Sequence, residues 1–166
     1  MVRSRAVVVV AVLTAASVLG WWLGESRRTA TPAVRVVEVF DGDTIVAAFP
    51  DGHTDTVRLL GVDTPETHHP TKGVQCFGPE AAAFSAQRLE GRVVRLEGDV
   101  EARDLYDRRL AYVLVDGKRF NDELLRRGYA RLLVLAPNRA HARDLLAAEL
   151  DAREHERGLW RECGEG

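Results

Sequence analysis

Charged residues are concentrated in three short segments of this chain, each at a point where a strand is expected to end or to turn. They are Asp41–Thr44, Arg58–Thr67 and Asp104–Leu110. Carboxylate oxygens are the ligands that hard cations such as calcium prefer, and no plausible set of sulfur and nitrogen ligands for zinc or copper accompanies them. The guanidinium group of an arginine matches two phosphate oxygens at once. The combination favours chemistry on a phosphodiester beside a bound divalent cation.

Each segment also has a purely structural explanation when it is taken alone. An Asp-Gly-Asp sequence, as at 41–43, is more often a turn than a set of ligands. Pro65 and Glu66 can open a helical turn, because proline suits the first position and glutamate suits the positive end of a helix. Arg108 and Arg109 are by default solvated residues before a strand. Only the three segments together indicate a site.

Short strands are expected to position these segments. Runs of β-branched and apolar residues predict strands at 34–40, 44–49 and 54–60. The sequence Pro50-Asp51-Gly52 is typical of a turn, so the second and third strands are predicted to form a hairpin. Further strands are predicted at 92–96 and 110–115, with an extended segment at 129–135.

Three helices are predicted in the same region. The first spans 79–89, with a proline in its first turn and Gly91 after its end. Asn121 is expected to cap a short helix at 122–127, and Asn138 a last helix that runs to about residue 157. Helical spacing in that last helix predicts one apolar face, formed by Ala142, Leu145, Leu146 and Leu150.

The order of these elements predicts the fold class. Strands come first, one helix lies within the strand series, and helices close the chain. This order favours an α+β fold that is mainly β, namely a five-stranded barrel of the OB type with three helices. Barrels of this type are a known platform for nucleic acids.

A hydrophobic segment precedes the predicted domain. Residues 6–24 are uncharged and follow Arg3 and Arg5, and roughly 20 apolar residues suffice for a helix to cross a bilayer. This N-terminal hydrophobic helix is interpreted either as an uncleaved membrane anchor or as a cleaved signal peptide, and a buried helix of a soluble protein is the remaining alternative. Residues 1–33 are therefore predicted to be an anchor or signal segment plus linker, and 34–162 to be a domain outside the cytoplasm.

The net charge of the predicted domain is acidic. Four of the 23 basic residues and one of the 25 acidic residues lie in the N-terminal segment, which leaves the rest with a net charge of about −5. Proteins that coat nucleic acid rely on many lysines and arginines to neutralise phosphates. The charge therefore counts against a simple coating protein and favours a site whose positive charge comes from a metal and a few arginines.

Two cysteines, Cys76 and Cys163, allow a single intramolecular pairing. Disulfides persist in the extracytoplasmic compartment that the N-terminal segment predicts. A disulfide is therefore expected, and two unpaired thiols are the alternative.

Many motifs in one order give the chain a family resemblance. From about Val36 to Trp160 it resembles the staphylococcal nuclease (thermonuclease) family. Besides the three charged segments, the shared motifs are Gly73-Val74, Phe77-Gly78-Pro79-Glu80-Ala81, Leu110-Ala111-Tyr112, Asp116-Gly117-Lys118, Asn121 and Gly158-Leu159-Trp160. The resemblance implies an SNase-like OB-fold and a calcium-dependent endonuclease that acts on DNA and RNA and leaves 3′-phosphates.

The resemblance also implies a metal site. Asp43 and Asp63 match the carboxylates that bind Ca²⁺, and the backbone carbonyl of Thr64 matches the third protein ligand. Asp41 matches an acidic neighbour of the metal.

Three further residues are implied in catalysis by the same resemblance. Glu66 matches the carboxylate that holds or deprotonates the attacking water, and Arg58 and Arg108 match the arginines that bind the reacting phosphate. Arg109 stands where the family often has a small residue, and it is interpreted as structural.

The chain departs from the family at the expected nucleotide pocket. Leucines and a valine occupy 132–135 in place of tyrosines that pack against a bound nucleotide, and Leu105 stands where a lysine would help to hold phosphate. Because stacking on an aromatic side chain is worth roughly 1–3 kcal/mol per base, weaker substrate binding is expected. Tyr106 and Tyr112 are expected near the pocket.

Two other functions compete with the nuclease. One is a catalytically inactive module of the same fold that binds nucleic acid or peptide at the cell envelope, and the other is a hydrolase of a different phosphodiester. Inactive modules typically lose a metal carboxylate or an arginine, whereas this chain keeps both. Nothing in the sequence indicates an obligate protein partner, and the membrane is a partner only if the N-terminal helix is uncleaved.

Overall fold

Eight strands and four helices occur in the part of the chain that the structure describes, residues 33–67 and 73–163 of a computed structural model. The strands are β1 (Ala33–Asp41), β2 (Thr44–Ala48), β3 (Thr54–Leu59), β4 (Gly61–Asp63), β5 (Val93–Glu97), β6 (Arg109–Val115), β7 (Lys118–Arg119) and β8 (Arg131–Leu133). The helices are α1 (Gly78–Leu89), α2 (Phe120–Arg126), α3 (Ala142–Glu154) and α4 (Leu159–Glu162).

Five of the strands close into a barrel. The strand order in the main sheet is β3-β2-β1-β5-β6-β7, and β3 also pairs in parallel with β6, which joins the two sides of the sheet. β4 and β8 pair separately as a two-stranded sheet. A closed five-stranded barrel with flanking helices is the OB-fold, so the predicted fold class is confirmed.

Alternate side chains along the strands point inward, so each strand buries one face in the barrel. The barrel interior is filled by inward side chains from several strands, among them Val34, Val36, Ile45, Val57, Leu59 and Val113.

The predicted hairpin is confirmed, because β2 and β3 pair antiparallel with Ala48 opposite Thr54. Gly52 in its turn has a φ of 91°, a conformation that glycine adopts without steric cost.

An irregularity in β1 bears directly on the first charged segment. The register between β1 and β2 shifts between Val39 and Asp41, so that Asp41 pairs with Thr44 at the end of the hairpin. Bulges of this kind bend a strand and redirect its side chains. Asp41 is consequently buried at the end of the barrel, beside the turn that carries Asp43.

Helix α1 was predicted to within one residue, but both predicted asparagine caps are wrong. α2 begins at Phe120, and the fully buried side chain of Asn121 instead donates to the Leu60 carbonyl (2.8 Å) and accepts from the Val113 amide (2.9 Å). The side chain of Asn138 lies before α3 and bonds both backbone groups of Glu101.

The predicted apolar face of the last helix is also only partly correct. Leu145 is fully buried, whereas Leu146 and Leu150 are exposed. The buried apolar positions of α3 are instead Leu145, Ala148 and Ala152, at spacings of three and four residues. The four-residue helix α4 was not predicted, which raises the number of helices among the described residues from three to four.

The two cysteines are joined. Cys76 and Cys163 form a disulfide with Cα atoms 5.9 Å apart, so the expected pairing is confirmed. The hydrophobic helix predicted at 6–24 lies outside the described residues. Within 33–67 and 73–163, no helix combines the length and the apolar character that a bilayer-spanning segment needs.

Candidate active site

Arg58 at the end of β3 links two of the predicted metal ligands. Its Nη1 lies 3.0 Å from Oδ2 of Asp43, and its Nη2 lies 3.1 Å from Oδ1 of Asp63. Nη1 also donates to the carbonyl of Val62 at 2.8 Å. With its side chain only 15% exposed, Arg58 is fixed by these contacts. The structure therefore brings the turn between β1 and β2 and the end of β4 together around one guanidinium group.

Asp43 is the most buried carboxylate of the site. It is 5% exposed, and its Oδ2 accepts a hydrogen bond from the Thr64 backbone amide at 2.8 Å. Burial raises the pKa of Asp43 to about 7. The positive charge of Arg58 opposes this shift, and the negative charges of Asp41 and Asp63 add to it. The positive charge of Arg58 is therefore not enough to offset the burial of the ionised form.

Close packing holds the turn that carries Asp43. The Ser85 hydroxyl in α1 donates to the Gly42 carbonyl at 2.6 Å, and the Asp43 amide donates to Asp41 Oδ1 at 3.2 Å. A Cβ at Gly42 would lie 2.6 Å from Cγ2 of Thr64. Only glycine allows the turn to approach Thr64 this closely, which places the Asp43 carboxylate against the Thr64 backbone.

The donor set fits a hard cation better than a transition metal. Nowhere in residues 33–67 and 73–163 do three or more His, Cys, Asp or Glu side chains gather into a potential metal site. The predicted ligand set combines two carboxylates with the backbone carbonyl of Thr64, so it does not need three such side chains. Calcium accepts carbonyl and water oxygens alongside carboxylates. A bound cation would offset the buried negative charge of Asp43 and would lower its raised pKa.

Arg108 faces the same cavity as Arg58 but is held by a different carboxylate. Its Nε donates to Oδ2 of Asp104 at 2.7 Å, and its backbone amide donates to Oδ1 of the same residue at 3.0 Å. Its guanidinium carbon lies 5.3 Å from the centroid of the Tyr106 ring. Both predicted phosphate-binding arginines thus line one cavity, and each is paired with carboxylates.

The cavity between the two arginines has a volume of about 490 Å³. Its apolar wall includes Leu105, Tyr106, Leu133 and Leu135. Leu105 is fully exposed and Tyr106 is 80% exposed, so both side chains are available to a ligand. Tyr106 lines this cavity, whereas Tyr112 does not, because Tyr112 is buried in the core and donates to Asp99.

Glu66 is positioned through its backbone. Its amide donates to Oε1 of Gln75 at 2.9 Å, and the Gln75 amide donates to the Glu66 carbonyl at 2.9 Å. A Cβ at Gly78 would lie 2.9 Å from the same carbonyl oxygen, so the start of α1 packs directly on this residue. Glu66 is half-buried three residues beyond Asp63. Its role, like those of the other predicted site residues, stays a prediction.

Arg109 lies outside this cluster. Its Nε is 3.0 Å from Oδ2 of Asp55, and its guanidinium carbon is 5.0 Å from the centroid of the Phe49 ring. Asp55 also pairs with Arg103. These contacts agree with the structural interpretation of Arg109.

Sequence reasoning missed three residues that position the site. Asp104 holds Arg108, Gln75 holds Glu66, and Ser85 holds the turn at Gly42. The spacing of four between Asp104 and Arg108 is a signal that was available. Gln75 and Ser85 act through single polar atoms on other segments, for which the sequence carries no local pattern.

The fold and the site together define a class of protein. It is an OB-fold protein in which loops at the end of the barrel gather carboxylates and two arginines beside a cavity. A family model described as Staphylococcal nuclease homologue matches residues 56–162. The chain therefore belongs to the staphylococcal nuclease family.

Three relatives illustrate the similarity. The chain is 38% identical over 126 residues to the Thermonuclease of Staphylococcus hyicus, a match that covers 76% of this chain and 74% of the relative. It is 40% identical over 125 residues to the Thermonuclease of Staphylococcus intermedius, covering 75% and 74%. It is 38% identical over 133 residues to Endonuclease YncB of Bacillus subtilis, covering 79% and 63%.

Proposed function

We propose that this chain is a calcium-dependent nuclease that hydrolyses phosphodiester bonds of DNA or RNA and leaves 3′-phosphate products. The observation that carries the proposal is the linkage of Asp43 and Asp63 by Arg58, which lines the same cavity as Arg108. The relatives named thermonuclease and endonuclease support the reaction class.

The carboxylates of Asp43 and Asp63 and the backbone carbonyl of Thr64 would hold the calcium ion. When bound, calcium supplies a Lewis acid and a template for the phosphate and the water. The acidic side chain of Asp41, buried next to Asp43, adds negative charge to the same region. Of the residues proposed to hold the cation, Asp43 depends on it most, because its carboxylate is desolvated.

The chain's own residues supply the remaining chemistry. Glu66 holds the attacking water and accepts its proton as the oxygen adds to phosphorus. The bond from phosphorus to the 5′ oxygen breaks in line with the attack. The departing 5′ oxygen takes a proton from solvent and becomes a hydroxyl, and the phosphate stays on the 3′ side. Arg58 and Arg108 donate hydrogen bonds to the phosphate oxygens, where negative charge grows in the transition state. Both must exchange part of their present carboxylate contacts for phosphate contacts.

Location and partners belong to the same proposal. A disulfide between Cys76 and Cys163 supports a site of action outside the cytoplasm, where such bonds persist. The protein would be secreted if residues 6–24 are cleaved, or held at the membrane by them if they are not. The apolar wall of the cavity suits the bases of a single strand, with the two arginines at the phosphate.

The test is cleavage by the purified protein of single-stranded DNA and of RNA, with calcium or with a chelator. We expect fragments with 3′-phosphate ends only when calcium is present. Arg58→Ala and Arg108→Ala should each lower the rate by about 10²–10³-fold. Arg95→Ala is the matched control, since Arg95 is exposed on β5 and does not line the cavity.

Each part of the proposal has its own contrary result. Cleavage in chelator would refute the cation dependence, and 5′-phosphate ends would refute the product assignment. Wild-type rates in the Arg58 or Arg108 variant would refute the assigned roles. Retention of nucleic acid without cutting in calcium would favour the catalytically inactive binding module.

A further inference from the structure

A second segment, 75–78, fixes the position of Glu66. The Glu66 amide donates to the side chain of Gln75, and its carbonyl accepts from the Gln75 amide, both at 2.9 Å. The carbonyl also packs against Gly78, where a Cβ would lie only 2.9 Å away. Both polar groups of the Glu66 backbone are therefore held by one residue, nine positions further along the chain.

The two residues that follow Gln75 are held by a covalent bond and by an aromatic contact. The adjacent Cys76 is bonded to Cys163 at the end of α4. The ring of Phe77 stacks on that of Tyr129, with centroids 5.4 Å apart. The Gln75 carbonyl accepts from the Gly78 amide at 3.1 Å. The segment is thus attached to the C-terminal part of the domain as well as to α1.

The far end of the disulfide is firmly anchored. The amide of Cys163 donates to the carbonyl of Leu159 at 3.0 Å, and the amide of Leu159 donates to the carbonyl of Gly128 at 2.9 Å. The side chain of Leu159 is 1% exposed. Cys76, by contrast, is exposed, so a reductant in solution can reach the bond. Neither cysteine belongs to the hydrophobic core of the barrel.

We propose that Gln75 is a positioning residue for Glu66 and that the Cys76–Cys163 disulfide keeps Gln75 in place, so that activity depends on this bond. The inference rests on the proposed function, in which Glu66 orients the attacking water. Displacement of a catalytic group by about 1 Å can lower a rate by about 10²-fold. Removing a native disulfide also costs stability, typically about 2–5 kcal/mol, so turnover is compared only in protein that is shown to be folded.

The first experiment compares substitutions at Gln75. Gln75→Leu keeps the shape but removes the acceptor for the Glu66 amide, whereas Gln75→Glu keeps an acceptor at Oε1. We expect kcat to fall by about 10- to 100-fold in the leucine variant with KM unchanged, and to recover in the glutamate variant. Gln87→Leu is the matched control, because Gln87 is exposed on α1 and has no hydrogen bond among the described side chains.

The second experiment breaks the disulfide. Dithiothreitol reduces the bond to two thiols and is itself oxidised to its cyclic disulfide, and the double variant Cys76→Ser, Cys163→Ser lacks the bond from the start. We expect both treatments to lower kcat with KM unchanged, and dithiothreitol to have no further effect on the double variant. Circular dichroism at the assay temperature establishes that each protein is folded.

Amide hydrogen exchange supplies a readout that does not depend on activity. The amides of Glu66 and Gln75 should exchange faster after reduction and in Gln75→Leu, while core amides of the barrel stay protected. Equal exchange and equal kcat in Gln75→Leu and Gln87→Leu would overturn the inference, as would a glutamate variant as impaired as the leucine variant. If the oxidised wild type fails to cleave, the proposed function fails, and the exchange data still decide whether Gln75 and the disulfide position Glu66.

Discussion

Replacing Asp43 by asparagine should stabilise the calcium-free protein at neutral and alkaline pH. Burial raises the pKa of Asp43 from its ordinary value of 3.8 to about 7, despite the opposing charge of Arg58. Since each pKa unit is worth about 1.4 kcal/mol, the ionised carboxylate lowers the free energy of unfolding by up to about 4 kcal/mol. Asparagine removes that charge but keeps an oxygen that can accept from the Thr64 amide.

The pH dependence has a definite sign. A carboxyl group whose pKa is higher in the folded chain contributes its full stability below the unfolded pKa, and that contribution is lost as the pH rises through the folded value. Wild type and Asp43→Asn should therefore be equally stable below pH 3.8. Their free energies of unfolding should diverge as the pH rises to about 7 and then stay apart.

Denaturant unfolding in chelator across this pH range measures the difference. Asp55→Asn is the control with the opposite sign. Burial alone would raise the pKa of Asp55, but hydrogen bonds and charge from Arg103 and Arg109 outweigh it, so the net pKa is lowered. Stability from Asp55 is present above its unfolded pKa of 3.8 and is lost as the pH falls below that value. Asp55→Asn should accordingly be less stable than wild type at neutral pH.

Calcium should narrow the difference between wild type and Asp43→Asn, because the variant lacks one of the two proposed carboxylate ligands. A ligand stabilises the folded state by about 2.7 kcal/mol at 100 times its dissociation constant and by about 4.1 kcal/mol at 1,000 times, so the difference should close only at a large excess of calcium. Refutation would come from a simple observation: an Asp43→Asn protein less stable than wild type in chelator at alkaline pH. That result would mean that the ion pair with Arg58 outweighs the desolvation of the carboxylate.

Two further predictions concern the approach of the site loops and the wall of the cavity. Gly42→Ala should lower stability by about 1–3 kcal/mol and weaken calcium binding in a titration, because its Cβ would lie 2.6 Å from the methyl carbon of Thr64. Gly98→Ala should change neither quantity, because a Cβ there meets nothing within 4 Å. Leu135→Tyr should strengthen binding of single-stranded DNA by roughly 1–3 kcal/mol through stacking, since Leu135 is exposed on the cavity wall; an unchanged dissociation constant would argue that bases do not reach this wall.

The strands and the first helix could be predicted because their signals are local. The hairpin of β2 and β3 needs only two short β-branched runs and a turn, and α1 needs only a proline at its start and a glycine beyond its end. The asparagines could not be assigned in this way. Asn121 bonds a carbonyl 61 positions away and Asn138 bonds a backbone 37 positions away. Asparagine suits both a helix cap and a buried hydrogen-bonded bridge. Which of the two roles it takes depends on partners that only the folded chain brings close.

The residues of the candidate site could be proposed from motifs, whereas their electrostatic state could not. The raised pKa of Asp43 comes chiefly from burial, which depends on the packing of its turn against Thr64 and on the hydrogen bond from Ser85 in α1. Likewise, the sequence indicated that Arg58 would meet phosphate. It did not indicate that Arg58 also bridges the carboxylates of Asp43 and Asp63.

This pairing bears on how an acidic domain can act on a polyanion. In the structure both guanidinium groups of the site are neutralised, Arg58 by Asp43 and Asp63 and Arg108 by Asp104. Counting Glu66 and the buried Asp41 as well, the proposed site holds five carboxylates and two arginines. With every carboxylate ionised and no cation bound, its net charge is about −3, which repels phosphate. A divalent cation on the aspartates would offset most of that charge. Under the proposed function, cation binding and nucleic-acid binding are therefore coupled, and each must strengthen the other by the same factor.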